Sequence, residues 1–356
     1  MEYVLQFWNS LRVPRDWEKC ETNSLFKSGD ATVPGNYRYI MKLVVMQKLV
    51  LIIIGDRLQK LIDIIPGYEP QNGFRGDRGC RDSNFCMKAA LAKRKEHGLE
   101  TWVGFLDITK AFDTVPRDEE DGEEGLLWKA LRLLGCPEHL LNIIKSLHRD
   151  VLLLLSEDDE STSLRANRGV RQGDIIGPPL FNLFMAAVFL TWQKKKQTSK
   201  VQFYCDADRH SFVLRGRPVN QAGIRFIFDT SLYADDTNAL AADRTALASD
   251  LRGLISHFKL FGFIIHQGAP GVKSKAKVVA FLKQPYHYAD RTTHDDIDLS
   301  DIVIDPVLGT FIPVVTKMIS LGTAFECTLN DSVDVAARVK KACGVFGRYA
   351  KRIFCN

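Results

Sequence analysis

Two adjacent aspartates, Asp235 and Asp236, interrupt a stretch in which apolar and polar residues alternate, residues 224–242. Alternation on both sides of a short polar step predicts a strand, a tight turn and a return strand, with the aspartates at the turn. Adjacent carboxylates repel each other, and ionised carboxylates among apolar side chains are costly unless a positive group compensates them. The sequence therefore predicts a β-hairpin whose tip needs a cationic partner.

A third carboxylate follows a different predicted strand. Residues 101–108, TWVGFLDI, contain few polar side chains and predict a buried strand, and Asp107 lies near its end. If this strand lies beside the hairpin, three carboxylates converge and need cations. Two Mg²⁺ ions, with Mn²⁺ as the alternative, are the natural partner because they prefer oxygen ligands, and two such ions support in-line phosphoryl transfer. The alternative is that Asp107 is a helix cap or a surface residue.

The composition limits the class of protein without assigning a function. The chain has 356 residues, 46% of them apolar, which is enough for one large domain or two ordinary ones. The net charge of +5 is compatible with nucleic-acid binding but does not require it. Eight cysteines without a CxxC pair argue against zinc and indicate reduced thiols. Early charges at the N-terminus and short apolar runs predict a soluble intracellular protein without a membrane partner.

The remaining patterns mix helices and strands without a regular βαβ repeat, which predicts an α+β fold. Apolar periodicity and Gly or Pro boundaries predict helices within residues 42–65, 84–98, 126–135, 137–149, 178–192, 243–262 and 334–354. Two acidic stretches, 118–125 and 289–305, are typical of solvated surface loops.

Several segments resemble one family in the family's own order. The segments FLDITKAFDTV, GVRQGDIIGPPLFNLF and YADDT resemble the three central motifs of reverse transcriptases, most strongly those of non-LTR (LINE-type) retrotransposons. Further segments resemble the fingers motif, the segment after it, the later lysine-bearing motif and the lead into the thumb: SLFKSGDATVPGNYRYI, QNGFRGDRG, GVKSKAKVVAF and SLGTAFECTLNDSVDVAARVKKACGVFG. The resemblance covers the chain from about Trp17 to about Phe346.

The resemblance implies a right-hand polymerase fold. We expect interleaved fingers and palm over residues 1–282, with a palm core at about 101–115 and 170–282 built on an antiparallel sheet flanked by helices. Residues 283–356 would connect the palm to the first helix of a truncated thumb. The implied activity is that of a retrotransposon RNA-directed DNA polymerase, which adds deoxynucleotides to a primer 3′-hydroxyl. The implied partners are an RNA template, a DNA primer and deoxynucleoside triphosphates, and no obligate protein partner follows from the sequence.

The family motifs also imply roles for individual residues. Asp107, Asp235, Asp236 and the main-chain carbonyl of Ile108 match the metal ligands, and Lys275 matches a lysine that protonates pyrophosphate, with Lys273 and Lys277 as alternatives. Lys27 and Arg38 match the pair that grips the triphosphate, and Gln172 and Gly173 match the lining of the nucleotide pocket. Phe112 matches the bulky residue that excludes a 2′-hydroxyl, with core packing as its alternative. Arg171 and Tyr233 are the candidates for template or primer contacts.

Departures from the family pattern leave a second function open. The family usually has Ser at 177, Pro at 39, Tyr at 320 and Thr-Glu at 276–277, where this chain has Gly177, Tyr39, Ser320, Ala276 and Lys277. With only a first thumb helix expected, the chain can alternatively be an inactive element-derived remnant that binds nucleic acid without polymerising. An RNA-dependent RNA polymerase is disfavoured because Phe112 leaves no room for a 2′-hydroxyl. The family resemblance implies that the protein acts in the nucleus. The basic residues 193–200 are a weak match to a nuclear localisation signal and can equally be a solvated helix end.

Overall fold

The computed structural model describes residues 2–118, 123–149, 151–157, 160–165, 168–196, 201–205, 212–214, 224–283, 293–294 and 297–353. The helices are α1 (Glu2–Ser10), α2 (Arg15–Glu18), α3 (Val45–Asp63), α4 (Cys80–Glu96), α5 (Ala111–Thr114), α6 (Leu126–Leu133), α7 (Glu138–His148), α8 (Gly177–Lys195), α9 (Arg244–Leu260) and α10 (Ser332–Ile353). A short 3₁₀ helix spans Pro34–Asn36. No helix in the described part of the chain is both long enough and apolar enough to cross a membrane.

The strands are β1 (Lys19–Phe26), β2 (Tyr37–Lys42), β3 (Thr101–Leu106), β4 (Leu152–Glu157), β5 (Glu160–Arg165), β6 (Gln202–Cys205), β7 (Phe212–Leu214), β8 (Ile224–Ile227), β9 (Thr230–Tyr233), β10 (Asp236–Ala241), β11 (Lys277–Phe281), β12 (Thr293–His294), β13 (Ile297–Asp298), β14 (Ile302–Asp305), β15 (Thr310–Ile312), β16 (Lys317–Ser320) and β17 (Thr323–Glu326). The mixture of helices with mostly antiparallel sheets confirms the α+β prediction.

The chain separates into two compact units. The first unit comprises Met1–Gly79, Ile108–Lys196 and Leu254–Ile265, and the second comprises Cys80–Asp107, Gln197–Gly253 and His266–Asn356. Each unit is assembled from segments that are distant in the sequence. The bounds predicted for fingers, palm and thumb stay a prediction.

The first unit contains a four-stranded sheet in the order β2-β1-β4-β5, in which β1 pairs antiparallel with β2 and parallel with β4. Helices α3 and α6 pack against α8. Almost every residue of α8 from Gly177 to Phe189 is buried, because apart from Asn182 its sequence is apolar. Pro178 and Pro179 open this helix, where a missing backbone N–H costs nothing.

The second unit contains the antiparallel sheet β11-β3-β10-β9. All six residues of β3 are buried, which confirms the buried strand predicted from its few polar residues. Tyr233 pairs with Asp236 across β9 and β10, which confirms the predicted hairpin. Helix α4 packs against β9, where the hydroxyls of Ser83 and Ser231 lie 2.9 Å apart. This sheet brings the end of β3 beside the hairpin tip.

Described residues of both acidic stretches make contacts within the fold, and part of the second stretch forms strands where a solvated loop was predicted. Glu124 forms ion pairs with Arg132 of α6 and with Lys145 of α7, so this end of the first stretch ties two helices together; residues 119–122 lie outside the described part. In the second stretch, residues 302–305 form β14, which pairs with β15. Residues 289–292 and 295–296 lie outside the described part, as do residues 197–200 of the basic segment.

Candidate active site

The hairpin tip carries the two adjacent aspartates on a strained turn. Ala234 has a left-handed backbone, with φ of 54°, between the paired residues Tyr233 and Asp236. A residue with a Cβ atom adopts this conformation at a cost of about 1 kcal/mol, and such strain is concentrated at functional sites. Asp235 occupies the second position of the turn, and Asp236 begins β10. The tight turn therefore fixes both carboxylates at one end of the sheet.

Asp107 reaches the same end of the sheet from the neighbouring strand. Leu106 pairs with Thr237, so Asp107 follows opposite the start of β10. Burial, together with the negative charges of Asp235 and Asp107, raises the pKa of Asp236 to about 6. Burial also raises the pKa of Asp235, with the charge of Asp107 as an additional cause. The charge of Asp107 is therefore close enough to disfavour ionisation of Asp235 and Asp236.

Lys275 supplies a positive charge to this group. Its Nζ lies 3.8 Å from Oδ2 of Asp107, although the lysine side chain is 68% exposed and the aspartate 41%, so water weakens the pair. His266 fixes the backbone around them, because its N–H donates to the carbonyl of Asp107 at 2.9 Å. Its Nδ1 accepts the N–H of Lys275 at 3.3 Å, which leaves the ring proton on Nε2. Lys275 is thereby held beside the carboxylates.

The donor chemistry of this group fits Mg²⁺. Three carboxylates, two of them with raised pKa values, offer the oxygen ligands that this ion prefers, and the exposed Lys275 lies beside Asp107. Their spacing is wider than a preformed metal cluster: among the described residues, no three His, Cys, Asp or Glu side chains lie within metal-binding distance of one another. Binding an ion would therefore require these side chains to rotate towards it. Ile108, whose carbonyl is the fourth predicted ligand, is buried and bridges to Ile265 within the first unit.

The first unit contains a cavity of about 290 Å³ with a strongly basic lining. Arginines from β2, from β5 and from the segment before α8 line it, together with two tyrosines of β2 and one carboxylate: Arg38, Arg165, Arg168, Arg171, Tyr37, Tyr39 and Asp113. Basic and aromatic side chains together are typical of nucleotide and single-stranded nucleic-acid sites. Lys27 lies two residues beyond Leu25, the partner of Arg38, and so on the same face of the β1–β2 hairpin, but outside the cavity lining.

A turn at residues 171–174 forms one wall of the cavity. The carbonyl of Gln172 accepts the N–H of Met41 at 3.0 Å, and its side-chain Nε2 donates to Oδ1 of Asp113 at 2.8 Å. Gly173 has φ of 93°, and a Cβ atom there would lie 2.8 Å from the Ile40 side chain and 2.9 Å from the Met41 carbonyl. Only glycine fits this approach of the turn to β2. Gln172 thus lines the cavity and Gly173 lets the turn approach β2, while their role in nucleotide binding stays a prediction.

Arg171 is buried, which its charge alone does not indicate. Only 2% of the residue is exposed, and its Nη2 lies 3.0 Å from Oδ2 of Asp174, close but not aligned as a hydrogen bond. Asp174 also accepts the N–H of Ile176 at 3.0 Å. This burial favours a role in holding the turn over a contact with an exposed template strand. The predicted template contacts of Arg171 and of the half-buried Tyr233 stay predictions.

Phe112 lies at the edge of a column of rings. It stacks on Phe181 of α8, with centroids 4.2 Å apart and planes 16° apart. Its carbonyl accepts the N–H of Val170, a residue of the cavity wall, at 2.8 Å. Phe112 is only partly buried, so core packing does not enclose the whole ring.

Residue patterns missed several members of this cavity. Arg165 and Arg168 precede the RQGD segment by a few positions, and their clustered charge was the signal that could have identified them. Tyr37 and Tyr39 flank Arg38 on the strand. Asp174 was overlooked because one carboxylate after glycine carries no signal of burial.

Comparison with known proteins supplies an independent line of observation. A family model described as "Reverse transcriptase (RNA-dependent DNA polymerase)" matches residues 25–269. The chain is 27% identical over 183 residues to a "Retrovirus-related Pol polyprotein from type-1 retrotransposable element R2" of Popillia japonica, covering 51% of the chain and 24% of that relative. It is 30% identical over 181 residues to the "RNA-directed DNA polymerase from mobile element jockey" of Drosophila melanogaster, covering 48% of the chain and 18% of that relative. The chain thus spans a quarter or less of these relatives.

Solved structures agree on the fold. The apo telomerase of Candida tropicalis, truncated from its C-terminal domain, matches with a TM-score of 0.55 at 10% identity, over 92% of this chain and 59% of the telomerase chain. The longer apo telomerase from the same organism matches with a TM-score of 0.53, over 92% of this chain and 51% of the other. At such low identity the likeness establishes the polymerase fold alone.

Proposed function

Because the chain belongs to the reverse transcriptase family, we propose that it is a retrotransposon RNA-directed DNA polymerase domain that adds deoxynucleotides to the 3′-hydroxyl of a primer. The observation that carries the proposal is the carboxylate group at the end of the β3–β10–β9 sheet. Burial and mutual repulsion raise the pKa values of Asp235 and Asp236, so this group is arranged to receive a cation. A purely structural hairpin gains nothing from such crowding.

Within this proposal, Asp107, Asp235, Asp236 and the carbonyl of Ile108 hold Mg²⁺. The bound ions would supply Lewis acidity at the attacking hydroxyl and at the leaving pyrophosphate. Lys275 holds a proton at Nζ beside Asp107 and is the candidate donor of that proton to pyrophosphate.

The arginine-lined cavity supports the nucleotide-binding part of the proposal. Arg38 would bind the phosphates of the incoming nucleotide, helped by Lys27 from the same hairpin face, since guanidinium groups match phosphate oxygens. Gln172 and Gly173 would line the pocket. Phe112 would exclude nucleotides that carry a 2′-hydroxyl.

The proposed partners are an RNA template and a DNA primer, and the proposed place of action is the nucleus. Tyr233 and Arg171 remain the candidates for contacts with these strands. Microscopy of the tagged chain tests this location.

Primer extension on an RNA template tests the activity. The purified chain is assayed with Mg²⁺ and each nucleotide pool beside two variants, Asp235→Asn and Asp56→Asn. Asp56 is an exposed aspartate of α3 and serves as the matched control. We expect deoxynucleotide incorporation by the unmodified chain and by the control, and loss of incorporation in Asp235→Asn. Extension that survives Asp235→Asn would disprove the assignment.

A second candidate function is nucleic-acid binding without polymerisation. The observation that favours it is that Asp107, Asp235 and Asp236 do not form a group of metal-binding spacing among the described residues. Salt-sensitive binding of a primer–template by folded protein that fails to extend it would support this function. Efficient extension would exclude it.

A further inference from the structure

A buried hydrogen-bond network fixes the loop at residues 67–76 onto α8. The hydroxyl of Tyr68 donates to the carbonyl of Asn182 at 2.9 Å, and Nδ2 of Asn182 donates to the carbonyl of Gly73 at 2.8 Å. The N–H of Gly73 in turn donates to Oε1 of Gln71 at 2.8 Å. The residues Tyr68, Gln71 and Asn182 are all fully buried, so these bonds are shielded from water and hold the loop rigidly.

This rigid loop presents one exposed aromatic residue, Phe74. It is 45% exposed and has a left-handed backbone with φ of 53°, which is costly for a residue with a large side chain. Its ring meets Phe112 edge-on, with centroids 6.1 Å apart and planes 89° apart. Asn182, which holds the loop, directly follows Phe181, on which Phe112 stacks. Helix α8 therefore contacts one face of the Phe112 ring through Phe181. Through Asn182, it also holds the loop that places Phe74 against the edge of the Phe112 ring.

We propose that Phe74 is a positioning residue for sugar selection: it keeps the Phe112 ring in place, so that Phe112 cannot yield to a 2′-hydroxyl. The inference rests on the proposed function and on the role proposed there for Phe112. A ring can exclude one oxygen atom only if it cannot turn aside, and stacking on Phe181 restrains only one of its faces. The edge contact from Phe74 restrains it from another direction. This explains why a strained backbone holds a half-exposed phenylalanine beside Phe112.

The test compares incorporation of ribonucleotides and deoxynucleotides by the full chain. The variants are Phe74→Ala, Phe74→Leu, Phe112→Ala and the double variant Phe74→Ala/Phe112→Ala, with Phe85→Ala as the control. Phe85 is a 72% exposed phenylalanine of α4. The measured quantity is the ratio of kcat/KM for a ribonucleotide to kcat/KM for its deoxynucleotide, together with thermal unfolding of each variant.

We expect Phe74→Ala to raise this ratio about twofold to tenfold, the range that corresponds to the loss of one aromatic pair. Phe74→Leu, which keeps bulk at the ring edge, should give a smaller rise, and the double variant should match Phe112→Ala alone. Phe85→Ala should leave the ratio unchanged.

An unchanged ratio in Phe74→Ala and Phe74→Leu, with a raised ratio in Phe112→Ala, would overturn the inference and leave the proposed function intact. Additive effects in the double variant would also overturn it, because Phe74 would then act independently of Phe112. If Phe112→Ala does not change the ratio while extension is normal, the role of Phe112 and this inference both fail. Absence of extension by the unmodified chain would overturn the proposed function itself.

Discussion

Removing the charge of Asp174 should destabilise the first unit strongly. Its side chain is fully buried against Arg171, and Asp174→Asn keeps the size of the side chain and an oxygen that can still accept the N–H of Ile176. The change therefore removes the negative charge while leaving the shape of the turn. It leaves Arg171 as a buried cation without its carboxylate.

The size of the effect follows from the surrounding charges. Burial, partly offset by the charge of Asp118 and reinforced by that of Arg171, lowers the pKa of Arg117 to about 10. Burial also lowers the pKa of His148 well below its usual value, with both guanidiniums as additional causes, so this imidazole is neutral. The carboxylate beside Arg117 is the half-exposed Asp118, at 3.6 Å. A buried cation left without its partner costs ~3–5 kcal/mol. Because Arg171 lies near the buried guanidinium of Arg117, we expect Asp174→Asn to lower the free energy of unfolding by an amount in that range.

Equilibrium unfolding in urea measures this loss. We expect Asp174→Asn to lower the unfolding free energy by about 3–5 kcal/mol at an unchanged m-value. The double variant Arg171→Met/Asp174→Leu should lose less than Asp174→Asn alone, because no charge stays buried. Asp56→Asn on the exposed face of α3 is the control. A loss below ~1 kcal/mol in Asp174→Asn would refute the reasoning, since exposed ion pairs contribute no more than that.

Three further predictions concern the turn, the hairpin tip and the acidic stretch. Gly177→Ser, which restores the usual family residue, should destabilise the chain by ~1–3 kcal/mol because its Cβ would lie 2.7 Å from the Arg171 carbonyl; urea unfolding measures this. Asp236→Asn should stabilise the chain by ~1–2 kcal/mol above pH 6 in metal-free buffer, because the raised pKa makes the native carboxylate unfavourable there. This gain should vanish below about pH 4, where Asp236 is protonated in both the folded and the unfolded protein. Thermal unfolding measured across pH tests this. Glu124→Gln should remove ~1 kcal/mol of stability at neutral pH. Hydrogen bonds from Arg132 are the main cause that lowers the pKa of Glu124 to about 2. The contribution of Glu124 to stability is therefore present above the ordinary carboxyl pKa and is lost as pH falls towards 2.

Each of these has a contrary outcome. Equal stability of Gly177→Ser would show that the turn can shift away from the added atom. A pH-independent effect of Asp236→Asn would show that carboxylate crowding does not govern the hairpin tip. For the Glu124 contact, identical acid unfolding curves for the variant and the unmodified chain would contradict the proposed tie between α6 and α7.

The local elements were predictable because their signals lie within short stretches. The alternation around Asp235 and Asp236 and the unbroken apolar run before Asp107 are enough to predict a hairpin and a buried strand, and both are present. The mostly apolar segment that begins with two prolines likewise predicts the helix found as α8. Ordered motifs then identified the family, since their order and spacing survive where individual residues differ.

What the tertiary structure decided depends on contacts between distant segments. Pairing of β3 with β10 and the parallel pairing of β1 with β4 join segments more than a hundred residues apart, and no local pattern specifies such registers. Charge in a sequence likewise does not indicate exposure: Arg171 lies buried beside Asp174. The contact between Phe74 and Phe112 arises only because a loop folds onto α8 through three buried side chains. The sequence determined which local elements form and to which family they belong, whereas packing decided which charges are buried and which rings meet, because burial and register are properties of the assembled chain.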